Sequence, residues 1–350
     1  MTQFVSTEPA TEPRWGVVAT VREPSVLVIG FACHHLALGA SRVHLFFDVP
    51  DDPAARIAAT IPGVDVTLCD AAYWQAAGFT KPPALQTKRQ TVNANRVMAD
   101  SDLDWLLHAD ADELLWLPGT LSDELADVPE GAWLHIPNLE RCWIGEISGD
   151  IYGGVFRAPL HDAPDLAQTV YGKRNAALSG GMGGYSAGKA MVRVGDGFLA
   201  IHKLREAEGA MVRPSTPAPG ARILHFDGIT PAHWSLKNMR YATQGPAMNQ
   251  LLNAQRMASI GAILQAPNPE RAGARVYEAL YRLTRDEAAQ LRTAGALYDP
   301  QVDVAASVAQ IAPHLTPDYS MAAFDRLHQA ELSARAQSIV RQKRQARRNG

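Results

Sequence analysis

Four consecutive residues, Asp110-Ala111-Asp112-Glu113, follow directly on the short apolar run Trp105-Leu106-Leu107-His108. Two residues apart on extended backbone, the Asp110 and Asp112 side chains point to the same side. Carboxylates converging on one point repel unless a cation lies between them. Oxygen donors without sulfur suit Mg²⁺ or Mn²⁺ rather than zinc, so the pair reads as a grip for one divalent ion. The plain alternative is an acidic turn in water, because two aspartates at this spacing arise often by chance. The flanking apolar runs, with Leu114-Leu115-Trp116 following, favour the metal. A second cluster, His225-Phe226-Asp227-Gly228, closes another apolar run. By the same period of two, His225 and Asp227 share a side. A neutral imidazole at His225 suits a metal site shared with Asp112, and Asp227 suits either a base that activates an acceptor or a further ligand. A strand-end histidine satisfied by backbone is the competing account.

The loop Ser179 to Gly188 (SGGMGGYSAG) continues into Lys189-Ala190. Its spacing matches a phosphate loop, but Ala190 stands where Ser or Thr must hold Mg²⁺, and the residues after it look β rather than helical. A P-loop is therefore excluded. Two accounts stay open: a lid whose backbone N–H groups and Lys189 meet a diphosphate, or an ordinary surface loop. Asp48, after a strand, is placed to bind a base or ribose, or to cap the next helix with Asp51 and Asp52. Lys88, Arg89, Gln90 and Asn93 lie on a helix just before the acidic turn and either face a nucleotide or line a solvated face. His34 and His35 sit in an apolar helix and read as packed or hydrogen-bonded rather than as ligands. Trp143, His202, His233 and Trp234 are candidates to line an acceptor pocket, although tryptophans are usually core.

The elements that must position these groups alternate. Trp15 to Val21, Arg42 to Phe47, Val64 to Leu68 and Asp104 to His108 read as strands, separated by helices from Pro24 to Leu38, from the Asp51-Asp52-Pro53 group to about Thr60, and over most of Lys81 to Ala99. That order predicts an α/β fold with a mostly parallel sheet covered by helices on both faces. Ala132 to Pro137, Lys189 to Val194 and Ala221 to Phe226 read as further strands. Beyond Ser235 the pattern is helical: Leu236 to Thr243, Met248 to Leu264, Arg271 to Leu283, a capping box at Thr284-x-x-Glu287, Val302 to Ile311, and Met321 to Arg348. The expected layout is a catalytic domain over 12–235, a helical region over 236–334 and a basic tail over 335–350.

With 350 residues, 47% hydrophobic and 20% charged, the chain can bury a large core, which excludes disorder for most of it. A net charge of −3 gives no global pull toward nucleic acid. Cys33, Cys69 and Cys142 are scattered and odd in number, so neither a disulfide framework nor a cysteine-zinc site is expected. The first twenty residues lack the apolar core of a secretory signal, and Val26 to Ala40 is too short to span a bilayer. A cytoplasmic protein is expected. The tail holds six cations and no anion (Arg335, Arg341, Lys343, Arg344, Arg347, Arg348), leaving 27 cations against 36 anions, a net −9, in the remainder. Such a tail suits anionic lipid at the inner face of the membrane or RNA. Its plain alternative is a solvated helix end.

Together these stretches resemble the family-2-like glycosyltransferases of bacteria, related to the eukaryotic family 92 enzymes, which have a GT-A fold. The matching pieces, over roughly residues 14 to 240, are Trp15-Gly-Val-Val-Ala-Thr-Val, His34-His35-Leu-Ala-Leu-Gly39-Ala, Asp104-Trp-Leu-Leu-His-Ala-Asp110-Ala-Asp112-Glu113-Leu, Gly188-Lys189 and Leu224-His225-Phe-Asp227-Gly228. The resemblance implies a GT-A-type, Rossmann-like sheet and a nucleotide-sugar donor of the UDP- or GDP-sugar type bound by the first half. It also implies Mn²⁺ or Mg²⁺ at Asp110 and Asp112, and a glycan or glycolipid acceptor held by the second half. His225 resembles the late metal- or phosphate-binding histidine of such enzymes, and Lys189 a donor-phosphate contact. The expected activity is metal-dependent sugar transfer to a hydroxyl, with Asp227, then Glu140, as candidate base if the reaction inverts. Two alternatives compete: a nucleotidyltransferase using a nucleoside triphosphate and Mg²⁺, and a non-catalytic carbohydrate- or RNA-binding protein acting through the basic tail.

Overall fold

The structure, a computed structural model, describes residues 12–147, 149–243 and 252–349. In chain order the first half is β1 (Trp15–Val21), α1 (Ser25–Ala37), β2 (Arg42–Phe47), α2 (Pro53–Ala58), β3 (Val64–Leu68), α3 (Ala71–Ala76), α4 (Gln86–Asp100) and β4 (Trp105–His108). The alternation predicted from periodicity is present. The helix expected from Lys81 opens only at Gln86, because Pro82 and Pro83 lack N–H groups and push their neighbours out of the helical region. After it come β5 (Glu113–Trp116), α5 (Leu121–Leu125), β6 (Trp133–Ile136), β7 (Asn138–Ile144), β8 (Val155–Arg157), α6 (Pro164–Tyr171), β9 (Lys189–Arg193), β10 (Phe198–Ala200), β11 (Lys203–Arg205), β12 (Ser215–Pro217) and β13 (Arg222–His225).

The main sheet has the order β3-β2-β1-β4-β9-β6-β12. Strands β3, β2, β1 and β4 run parallel, and β9 is antiparallel to both neighbours. All seven residues of β1 are buried because the strand is covered on both faces. Val17, Ala19 and Val21 pack in one core with Leu27, Phe31 and Ala55 from α1 and α2. Val18 packs in another with Trp74, Ala94 and Val97 from α3 and α4. This is a Rossmann-like α/β fold. The strand order reverses between β1 and β4, and open sheets of this kind bind ligands beyond the strand ends at such a point.

A second sheet, β15-β8-β7-β13-β5, was not read from the sequence. It is completed by the C-terminal region: α7 (Pro231–Tyr241), α8 (Ala254–Gln265), α9 (Pro269–Tyr281), β14 (Arg282–Leu283), α10 (Arg285–Thr293), β15 (Leu297–Tyr298), α11 (Val304–Ile311) and α12 (Met321–Asn349). Helix α7 opens at Pro231 rather than Leu236, since Thr230 caps it by accepting from the His233 N–H and proline suits a first turn. It therefore runs across position 235. Trp234, Leu236, Tyr277, Tyr281 and Leu283 share one core with Cys142, Trp143 and Val155 of the second sheet. The start of the helix expected over Met248 to Leu264 lies outside the described residues. The tail continues α12, with Arg335 donating to Glu331 at 2.7 Å and Lys343 to the Ala266 carbonyl at 2.7 Å; the Arg347 side chain lies outside the description. The three cysteines are free and buried. Among the described residues no helix is long and apolar enough to cross a membrane.

Candidate functional site

The acidic residues stand where the chain passes from one sheet to the other. Asp110 and Asp112 occupy the turn between β4, in the main sheet, and β5, in the second. Strand β13 lies antiparallel to β5 with His225 opposite Glu113, and parallel to β7 with His225 opposite Glu140. Strand β8 puts Arg157 opposite Glu140. Laterally paired residues project to the same side, so Glu113, His225, Glu140 and Arg157 form one row across four strands. The outer edge of β5 is held by α1: His34 Nε2–H donates to the Leu115 carbonyl at 2.7 Å, and His35 Nε2 accepts from the Leu115 N–H at 3.2 Å. The two histidines are thus hydrogen-bonded structural groups, as expected.

Glu140 sits in a closed cage. Its carboxylate accepts from Arg157 Nε at 3.0 Å and from a terminal Arg157 nitrogen at 2.6 Å, from the Gly183 N–H at 2.9 Å and from the Gly184 N–H, and neither member of the pair is exposed. The glycine loop therefore spends these two amides on an internal carboxylate. Glycine is required at 184, where a Cβ would lie 2.9 Å from Glu140 Oε1 and 3.1 Å from the His225 ring. Glu140, the second candidate base, is thereby shut away from any acceptor. Removing one member of a buried pair strands the other charge, so Arg157→Met should cost about 3–5 kcal/mol. Urea unfolding checks this, with partial recovery expected in Arg157→Met/Glu140→Leu; a single-variant loss below about 1 kcal/mol would contradict the assignment.

Lys189, the first residue of β9, has no exposed side-chain surface, and its ammonium pairs with Asp110 at 2.7 Å and Glu113 at 2.9 Å. The expected phosphate contact is instead an internal counter-ion. Gln90 donates to the other Asp110 oxygen, and the Tyr185 hydroxyl donates to Glu113. Burial alone would raise the Asp110 carboxyl, but Lys189 holds it well below the usual carboxylate range. Glu113 is raised, because its burial outweighs the attraction of Lys189. On the other side, Lys237 of α7 reaches Asp112 at 3.1 Å and Asp227 at 3.3 Å. Asp227 also accepts from Arg256 and, at 2.6 Å, from the Tyr281 hydroxyl. Although burial opposes it, Arg256 and Lys237 hold the Asp227 carboxyl well below its ordinary value. A carboxylate so engaged is a weak proton acceptor.

These contacts test the acidic turn as a metal site. Both oxygens of Asp110 and both of Asp227 already have protein partners, and Asp112 shares Lys237. His225 Nδ1 is buried without a hydrogen-bond partner. Among the described residues, no group of three or more histidine, cysteine or acidic side chains is arranged to hold a metal ion. As assembled, Asp110, Asp112 and His225 do not fit a resident divalent ion.

The remaining candidates lie elsewhere. Asp48 forms a double contact with Arg89, at 2.8 and 2.6 Å, which closes it against a base or ribose. Lys88 pairs with Glu208. Asn93 is wholly buried, donating to Thr20 at 2.7 Å and accepting from Tyr73 at 2.5 Å, so it joins α4 to β1 rather than meeting a ligand. Trp143 and Trp234 are core residues. His202 hydrogen-bonds the Gly188 carbonyl at 2.8 Å, and its ring lies 5.1 Å from Tyr185. Sequence reasoning missed Lys237, Arg256, Tyr281 and Tyr185. The available signal was general: buried carboxylates need cations or donors, but nothing local says which helix supplies them.

No protein-family model and no curated protein matches the chain. Among solved structures it is similar to the glycosyltransferase GlyE of Streptococcus pneumoniae TIGR4, at 16% identity and a TM-score of 0.22. The match covers 36% of this chain and 30% of that one.

Proposed function

We propose that the chain transfers a glycosyl unit from a nucleotide-sugar donor to a hydroxyl acceptor. The observation that supports this most is the convergence of Asp110, Asp112, Asp227 and Lys237 beyond the end of β4, beside the reversal of strand order. Carboxylates there can accept hydrogen bonds from sugar hydroxyls and favour the positive charge that develops at the anomeric carbon as the leaving group departs. Lys237, with 23% of its side chain exposed, is the cation placed to meet the charge that leaves with the diphosphate. The acceptor hydroxyl forms the new bond at the anomeric carbon, and its proton is lost to solvent or a carboxylate.

The test is a panel of UDP- and GDP-sugars against nucleoside triphosphates, read by thermal shift with EDTA and again with Mn²⁺. At one hundred times its Kd, a donor should add about 2.7 kcal/mol of stability. Asp112→Asn should lower donor turnover about 10²-fold or more. Stabilisation by triphosphates alone would redirect the assignment to nucleotidyl transfer.

A further inference from the structure

Four carboxylates meet at the site, Asp110, Asp112, Glu113 and Asp227, and three cations of the chain are set against them: Lys189, Lys237 and Arg256. Lys189 lies beneath the turn with no exposure, and Arg256 is committed to Asp227 and to the Gly183 carbonyl at 3.0 Å. Lys237 alone bridges carboxylates from two different elements, Asp112 in the β4–β5 turn and Asp227 after β13, while keeping part of its surface open. Helix α7, anchored by buried Trp234, Leu236 and Met239, fixes its stem. A divalent ion demands oxygen ligands at about 2.0–2.2 Å and draws its affinity from surplus negative charge. Here each of the four carboxylates already has an ammonium or guanidinium partner, which an incoming ion would have to displace.

We infer that Lys237 is the resident cation of this site, a tethered ammonium standing where an acidic turn of this kind would otherwise recruit a divalent ion. A tethered group competes at an effective concentration in about the millimolar range, so it excludes weakly held free ions. The inference rests on the proposed donor site only for its biological meaning; its readouts need no donor.

The experiment titrates Mn²⁺ alone into the full chain and follows the free-ion signal by electron paramagnetic resonance. The wild-type chain should bind no equivalent below about 1 mM, the weak end of protein cation sites. Lys237→Met should bind one equivalent at least about tenfold more tightly, equal to about 1.4 kcal/mol, and adding Asp112→Asn should remove that gain. One equivalent bound to the wild-type chain below about 0.1 mM overturns the inference. A folded Lys237→Met chain, checked by circular dichroism, that stays free of Mn²⁺ overturns it equally. The wild-type titration decides even if the variant fails to fold, and a silent donor panel would count against the transferase assignment alone.

Discussion

Lys189→Met is expected to lower the free energy of unfolding by about 3–5 kcal/mol, the usual cost of stranding buried charge. Its ammonium is wholly buried and serves two carboxylates, Asp110 in the β4–β5 turn and Glu113 at the start of β5. Methionine keeps the volume and removes the charge. Asp110, half-buried, then loses its main partner, and its carboxyl should rise from its depressed value. A group depressed in the folded state contributes stability above its unfolded pKa, about 3.9 for Asp, and loses it as pH falls through the folded value. That contribution should vanish in the variant. Urea unfolding at pH 7, where the Asp110 contribution is fully present in the parent, measures the loss, and Lys189→Met/Asp110→Asn should recover part of it. A variant as stable as the parent would show that Lys189 is not the counter-ion of the turn.

Acid should unfold the protein cooperatively between about pH 6 and pH 4. Burial pushes His34 down to about 4 and His35 and His108 down to about 3. Each is neutral when folded, whereas the unfolded chain binds a proton below about pH 6.5. Stability is therefore full above that pH and falls as pH drops toward the folded values. Three such groups give a slope near 4 kcal/mol per pH unit at about 1.4 kcal/mol each, against a total stability of about 5–15 kcal/mol. The geometry supports the sign. His35 Nδ1–H donates to the Phe31 carbonyl at 2.8 Å while Nε2 accepts from the Leu115 N–H. A second proton would set a donor against a donor. Both ring nitrogens of His108 are buried without partners, beside Lys189. Urea midpoints measured from pH 7 to pH 4.5 test this. A flat profile to pH 5 would mean that these rings reach solvent in the folded state.

Much of the main sheet was legible because its signals are local. The strands around β1, β2 and β3 are runs of β-branched and aromatic residues bounded by turn residues, and burial on both faces makes such runs continuous. The capping box at Thr284 and Glu287 forms as written. The second sheet was not legible. Val155–Arg157 and Leu297–Tyr298 are too short to carry a period, and their pairing joins segments about 140 residues apart. At the site, the importance of Asp110 and Asp112 could be read from their position after a buried strand. Their partners could not: a lysine at 237 in an amphipathic helix looks like any solvent-facing cation.

The order of local elements, the acidic turn after β4 and the buried histidine pair of α1 follow from residue type and spacing alone, because backbone preference and burial act over a few residues. Tertiary structure alone decided what those groups meet. The register of β13 between β5 and β7 set His225 between Glu113 and Glu140, and the docking of α7 and α8 delivered Lys237 and Arg256 to Asp112 and Asp227. Charge pairing depends on distance in space and on the loss of water around the pair, and neither is written in the interval between residues along the chain.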